Sequence, residues 1–119
     1  MSSLTADPAC LFCRIVAREI PATVVHETDT TLAFRDIAPQ APTHVVVVPK
    51  AHAADAVALA AAAPGLLDDL FLTAGEVAKA ENVADSGYRL LFNTGLDAGQ
   101  TVFHAHLHVL GGRRLGPLA

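Results

Sequence analysis

Charge is scarce in this chain: 8 Lys/Arg and 12 Asp/Glu amount to 17 % of 119 residues, against roughly 25 % in an average globular protein. Hydrophobic residues make up 52 %, much of it alanine. Too few charges are present to solvate every face of a small domain, so part of the surface is expected to be covered in a homodimer. The net charge of −4 supplies no basic face, which argues against binding along a nucleic-acid polymer. A single nucleotide stays compatible, because its phosphate needs only local amides and histidines. Long apolar runs are missing too. None approaches the ~18 residues of a membrane span, and Val45 to Val48 is only strand length. The N-terminus shows no charged leader followed by an apolar core. The reading is a cytoplasmic protein with no membrane role. Cysteine is limited to Cys10 and Cys13, too few for a disulfide framework. A Cys-x-x-Cys pair in such a setting points to a metal site or a redox pair.

The length suits one compact domain, read as a flexible lead over residues 1–9 and a single domain over 10–119. Neither an internal repeat nor a low-complexity tail is visible. A short helix is expected over Cys10 to Glu19, stopped by Pro21. Strand-like stretches follow at Thr23 to Glu27 and Thr31 to Arg35 around a Thr28-Asp29 turn, then a Pro-punctuated loop from Asp36 to Pro42. His44 to Val48 reads as a strand buried on both faces and ended by Pro49. Ala53 to Ala63 is helical or loop-like. From Pro64 a longer helix places Leu66, Leu67, Leu70, Phe71, Ala74, Val77 and Ala78 on one face. Strands are expected at Gly87 to Thr94 and Val102 to Leu110, separated by the glycine-bearing loop Gly95 to Gln100. This order is an α+β domain with a mainly antiparallel sheet.

Three of the six histidines alternate in the last strand. Side chains alternate across a strand, so His104, His106 and His108 share one face at roughly 6–7 Å spacing, while Ala105, Leu107 and Val109 face the core. A lone histidine would be read as a satisfied structural residue. Three together all need partners once partly desolvated. Two chemistries fit them. In one the histidines hold a catalytic metal. In the other, one imidazole attacks phosphorus and its neighbours donate hydrogen bonds to phosphate oxygens. Gly99-Gln100-Thr101 just upstream can present amides and a hydroxyl to an anion, and no carboxylate beside the triad completes a metal shell, which favours the second.

His-x-His-x-His followed by two apolar residues resembles the signature of the histidine-triad (HIT) superfamily. The matching blocks run in order across nearly the whole chain: Cys10 to Ile15, Ala33 to His44, Val48 to His52, Gly87-Tyr88-Arg89, Asn93, Gly99 to Phe103 and His104 to Gly112. They resemble its Hint-like branch, the purine nucleoside phosphoramidases, and the cysteine pair resembles the bacterial type.

The resemblance implies a five-stranded sheet with one long and one short helix, extended across a dimer through the long helix and the Gly87 to Thr94 strand. It implies hydrolysis of nucleoside 5′-phosphoramidates or related nucleotidyl conjugates to the monophosphate through a nucleotidyl-histidine intermediate, with no cofactor needed for catalysis. His106 takes the nucleophile's position and His108 contacts phosphate. His44 stands beside them as a supporting partner. Gly99, Gln100 and Thr101 match the phosphate cradle and Asn93 a residue near the phosphate bridge. Asp36 matches the acid that accepts the ribose hydroxyls, and Phe12, Phe34 and Ile37 match the walls of a purine slot. Without the resemblance, Asp36 reads as a loop cap, Asn93 as a turn residue and the three apolar residues as core. Cys10, Cys13, His52 and His104 match a structural zinc site. His26 matches nothing and is expected at the surface. The chain departs from the branch in lacking a tryptophan-containing tail past Gly112, which puts leaving-group preference in doubt. Two alternatives stay open: dinucleoside polyphosphate hydrolysis, and a non-catalytic nucleotide-binding role.

Overall fold

The structure, a computed structural model, describes residues 4–117. The expected lead over residues 1–9 begins, and the expected domain ends, outside the described residues; Leu4 packs against the core. The elements run α1 (Leu11–Val16), β1 (Val24–Glu27), β2 (Thr31–Arg35), β3 (Thr43–Pro49), α2 (Ala56–Ala62), α3 (Pro64–Ala80), β4 (Tyr88–Leu91) and β5 (Leu107–Gly111), with a 3₁₀ turn at Leu96–Ala98 between the last two strands. The five strands form one sheet in the order β1-β2-β3-β5-β4, every pair antiparallel. No described helix is long and apolar enough to cross a membrane.

β3 is buried along its whole length because both sheet faces are covered. Ala33, Val45, Val47, Leu107 and Val109 pack on one face with Leu70, Ala74 and Val77 of α3. Leu32, Phe34, Val46 and Val48 pack on the other with Phe12, Cys13 and Ile15 of α1. Each buried Val or Leu contributes about 1.5–3 kcal/mol of burial free energy, so the sheet's central strands form the rigid part of the molecule. The face carrying α1 also carries the histidines.

Besides a shorter α1 and a β4 that ends at Leu91 rather than Thr94, the structure differs from the expectations in three places. The long helix runs from Pro64 as expected, but a second short helix, α2, forms in the Ala-rich stretch before it, giving three helices where one long and one short were expected. The Asp55 carboxylate caps α2 by accepting the Ala58 N–H at 2.9 Å. Ala63, at φ −154°, cannot continue it, because the ring of Pro64 excludes helical backbone at the residue before it. Phe71 stays 43 % exposed against Phe92, while Thr73 takes a buried place, hydrogen-bonded to Thr31 at 2.8 Å. Finally, β5 starts at Leu107 rather than Val102. Its pairing with β3 runs to Val47↔Leu107; two residues further on Ala105 would face Pro49, which has no N–H to offer. The Ala105 N–H bonds instead to the Ala53 carbonyl at 2.7 Å.

Candidate active site

Residues 102–106 lie outside the ladder and bend at Val102 and His104, yet the two sides of the chain stay sorted. Ala105 joins Leu107 and Val109 in the core, and the histidines fall on the opposite side. They do not act as one set. The structure divides five of the chain's histidines between two clusters.

The first gathers Cys10, Cys13, His52 and His104, whose ligand atoms all lie within 4.8 Å of one another. Cys10 is the N-cap of α1, its sulfur accepting the Cys13 N–H, and the Asp7 N–H points at the Cys13 sulfur. His104 is fully buried. Its Nε2–H donates to the Pro49 carbonyl at 2.9 Å, which leaves Nδ1 unprotonated in the neutral ring. That nitrogen lies 3.4 Å from the Cys10 sulfur, 3.5 Å from the Cys13 sulfur and 3.1 Å from His52 Nδ1. His52 Nδ1 is 3.4 Å from Cys13. Tetrahedral zinc, at Zn–S about 2.3 Å and Zn–N about 2.0–2.1 Å, needs ligand separations of about 3.3–3.8 Å; the N–S separations lie in that range and the N–N separation is slightly shorter, so the donor set fits such an ion with a small outward shift of the two imidazoles. Burial, with smaller effects from His52 and His106, pushes His104 down to about 4 against the opposing Pro49 bond. Burial also raises the Cys13 thiol. Both shifts favour neutral ligands until a cation is present.

The second cluster is His44, His106 and His108. His106 Nδ1–H donates to the His104 carbonyl at 2.7 Å, which leaves Nε2 with a free lone pair. Its ring meets Phe12 edge to face at a centroid distance of 5.0 Å and lies 4.9 Å from the ring of His108. The Gln40 N–H donates to His44 Nδ1 at 3.0 Å, so the proton of neutral His44 sits on Nε2 and is donated to His108 Nδ1 at 2.9 Å. His108 in turn carries its proton on Nε2. Burial lowers all three below ordinary imidazole values: His44 against the attraction of Asp36, His106 against its bond to His104, and His108 to about 4, helped by its two histidine neighbours. All three are neutral at pH 7.

The His106 and His108 rings border a hollow of about 530 Å³. Phe12 and Phe34 form its apolar wall, edge to face at 5.5 Å, and fully exposed Ile37 stands at its rim. Asp36, Asn93, Gly99, Thr101, His106 and His108 supply its polar side. Asp36 holds its own loop through the Ala38 N–H and turns Oδ2 to within 3.5 Å of His44 Nε2, so the loop-cap reading and a site position are both met. Gly99 has φ +88°, a backbone that only glycine adopts readily. The Gln100 side chain does not reach the hollow. It is buried and spans the loop, accepting from the Gly95 N–H and donating to the Ala54 and Val102 carbonyls. The sequence reading missed Ile15, Ile20, Val46 and Val102, which also line the hollow; Ile15 and Val46 looked like ordinary core. His26 is half-buried on β1, outside both clusters. Because His104 turns to the cysteines, the three triad rings do not converge on one metal.

The HIT domain family model matches residues 17–115. The purine nucleoside phosphoramidase of Escherichia coli is 42 % identical over 108 residues, 91 % of each chain. A HIT-like protein of Azospirillum brasilense is 49 % identical over 115 residues, 96 % of this chain and 94 % of its own. Among solved structures, a HIT family hydrolase from Clostridium thermocellum superposes with a TM-score of 0.90 at 42 % identity, covering 94 % of this chain and 97 % of that one. Another, from Legionella pneumophila, gives 0.86 at 48 %, covering 90 % and 96 %. On the family model, these relatives and these superpositions, the chain belongs to the histidine-triad (HIT) family.

Proposed function

We propose that this protein hydrolyses nucleoside 5′-phosphoramidates, or related nucleotidyl conjugates, to the nucleoside monophosphate through a covalent intermediate on His106. The observation that carries this reading is the fixed tautomer of His106. The His104 carbonyl holds its Nδ1–H and burial keeps the ring neutral, so Nε2 offers a lone pair beside the hollow without needing a base.

In the first step that lone pair forms a bond to phosphorus and the bond to the leaving amine breaks. The amine departs with the electron pair and takes up a proton from solvent. Water then attacks phosphorus and returns one proton to solvent, the P–Nε2 bond breaks and His106 recovers its lone pair as the monophosphate leaves. His108 Nε2–H, fixed by the Gln40–His44–His108 chain, donates to a non-bridging oxygen, together with Thr101 and the amides of the Gly99–Thr101 loop. Asp36 accepts the ribose hydroxyls. The base lies against Phe12, Phe34 and Ile37. The phosphoramidase relative supports this substrate class, a purine nucleotide conjugate.

Cys10, Cys13, His52 and His104 would hold a structural zinc. When bound, that ion neutralises the thiolates and ties α1, which carries Phe12, to the segment carrying His106. A homodimer joined along β4 and α3 accounts for the outer edge of β4, for exposed Phe71, which meets Phe92 just past β4, and for exposed Leu72 on α3.

The test is product analysis with adenosine and guanosine 5′-phosphoramidates, run against diadenosine polyphosphates. Release of the nucleoside monophosphate from the phosphoramidates at the higher kcat/KM supports the proposal. Preferential cleavage of the polyphosphates, or no release from either, overturns it.

A further inference from the structure

A second hollow, of about 350 Å³, opens on the other side of His108 and Asn93, and these two residues line both. His44 lines the second hollow and not the first, and Arg89 and Arg113 form its charged wall. The sheet explains their meeting. On β4, Arg89 pairs with Leu110 and Leu91 with His108, so Arg89 shares the histidine face. Arg113 folds back past the end of β5 and donates to the Gln40 carbonyl at 3.0 Å, beside the amide that holds His44. Gly112 permits that return at φ +92°, where a Cβ would meet Pro42 at 2.9 Å.

The charge pattern here differs from the rest of the molecule. Arg14, Arg18, Arg35, Lys50 and Lys79 each pair with a carboxylate. Arg89, Arg113 and Arg114 have no carboxylate partner among the described residues. Arg89 and Arg113 donate only to backbone carbonyls of Gly116, Arg114 and Gln40. No Asp or Glu lines this hollow or the adjoining one that carries Arg114. In a chain of net charge −4, the unpaired cations collect at the wall behind the phosphate-contacting histidine.

We infer that this hollow is the leaving-group subsite and that Arg89 and Arg113 select conjugates whose leaving amine carries an anionic oxyacid group. The inference rests on the proposed function and narrows its substrate class. With the nucleoside in the apolar hollow and phosphorus between His106 and His108, whatever departs from phosphorus runs past His108 and Asn93 into the second hollow. A guanidinium binds carboxylate and phosphate-type groups alike through its forked N–H donors. Both arginines are partly solvated, so each contributes modestly, and together they give a preference of about tenfold that salt weakens.

The test compares three adenosine 5′-phosphoramidates whose amines differ only in the terminal group: glycine, aminomethylphosphonate and the neutral glycinamide. Initial rates are read at low ionic strength, with uncatalysed hydrolysis subtracted. The parent is expected to show kcat/KM about tenfold higher for each anion than for the amide, and the better anion identifies which oxyacid the subsite is built for. In Arg89→Gln and Arg113→Gln the anion-to-amide ratio falls toward one, while Arg113→Lys, which keeps the charge, retains most of it. Reading a ratio within each variant separates charge recognition from loss of folding. Equal or faster cleavage of the amide by the parent, or a ratio unchanged in both glutamine variants, overturns the subsite while leaving the phosphoramidase reading intact. Failure to cleave any of the three removes that reading and this inference with it.

Discussion

His104 and His106 are two residues apart, yet one belongs to a cysteine cluster and the other to a cluster of imidazoles. Both give one N–H to a backbone carbonyl, and what separates them is where the remaining nitrogen lies, His104 Nδ1 at the cysteine sulfurs and the His106 ring at the hollow. His104 gives its Nε2–H to a carbonyl, so its other nitrogen faces the two sulfurs with a lone pair. His44 instead receives an N–H on Nδ1, so its other nitrogen must carry a proton and donate it. Asp36, His44 and His108 also bring ligand atoms within 4.8 Å of one another. That trio still cannot ligate a metal while the Gln40 amide holds His44, because the nitrogen facing the trio is already protonated. The same residue type presents a lone pair or a proton according to whether a carbonyl or an amide stands behind it.

The largest expected effect comes from removing the nucleophile. His106→Ala should lower kcat by at least about 10³-fold, with monophosphate affinity, measured by titration, within a few-fold of the parent. If the cysteine cluster were the reactive one, this variant would retain most of its turnover.

Removing the other cluster should give the opposite signature. Cys10→Ser/Cys13→Ser should lose near-stoichiometric zinc, measured on protein purified without added metal or tag. It should also lose on the order of 4 kcal/mol of stability where free metal stands near a thousand times Kd. Activity should survive in the folded fraction at low temperature. Parent protein that takes up no zinc when offered it contradicts the assignment.

Asp36→Ala should weaken ribonucleotides by about 1–3 kcal/mol and 2′,3′-dideoxynucleotides far less. Equal weakening of both would leave Asp36 only its contact with the Ala38 N–H.

The smallest effect is in pH dependence. His108 titrates near 4 in the native state and near the ordinary 6.5 in the unfolded chain. Its native pKa is depressed, so below 6.5 the unfolded chain binds the proton first. The stabilisation is complete above 6.5 and drains away as pH falls toward 4. Turnover should therefore persist through pH 6 and fall as pH approaches 4. His108→Gln should lose less stability between pH 7.5 and 5 than the parent, as read by denaturant titration.

Much of this was legible in the sequence. Prolines 21, 49 and 64 mark the end of the α1 region, the end of β3 and the start of α3. The alternation of Ala105, Leu107 and Val109 gave the core side of the last segment. The length of β5 was not legible, because the ladder is cut by a missing N–H on Pro49 of another strand. The histidine motif pointed to the site, yet its division into two clusters depends on the carbonyls of Pro49 and His104 and the amide of Gln40, and no side-chain pattern encodes where those lie. Gln100 looked like a phosphate contact and turned inward, since its amide satisfies Gly95 and Val102 of its own loop and Ala54 of the segment before α2. The hollow lined by Arg89 and Arg113 was invisible, because it needs β4 paired with β5 and the chain beyond Gly112 folded back on both.

The central claim is that the two clusters divide the work, with covalent chemistry confined to His106. The most direct test mixes the protein with a nucleoside phosphoramidate and quenches in alkaline denaturant, which spares an acid-labile P–N bond. Peptide mass spectrometry then locates the nucleotide. The account predicts one nucleoside monophosphate on His106 and none on His104 or His108. Nucleotide on any other residue, or turnover with no protein-bound nucleotide at any time point, contradicts it.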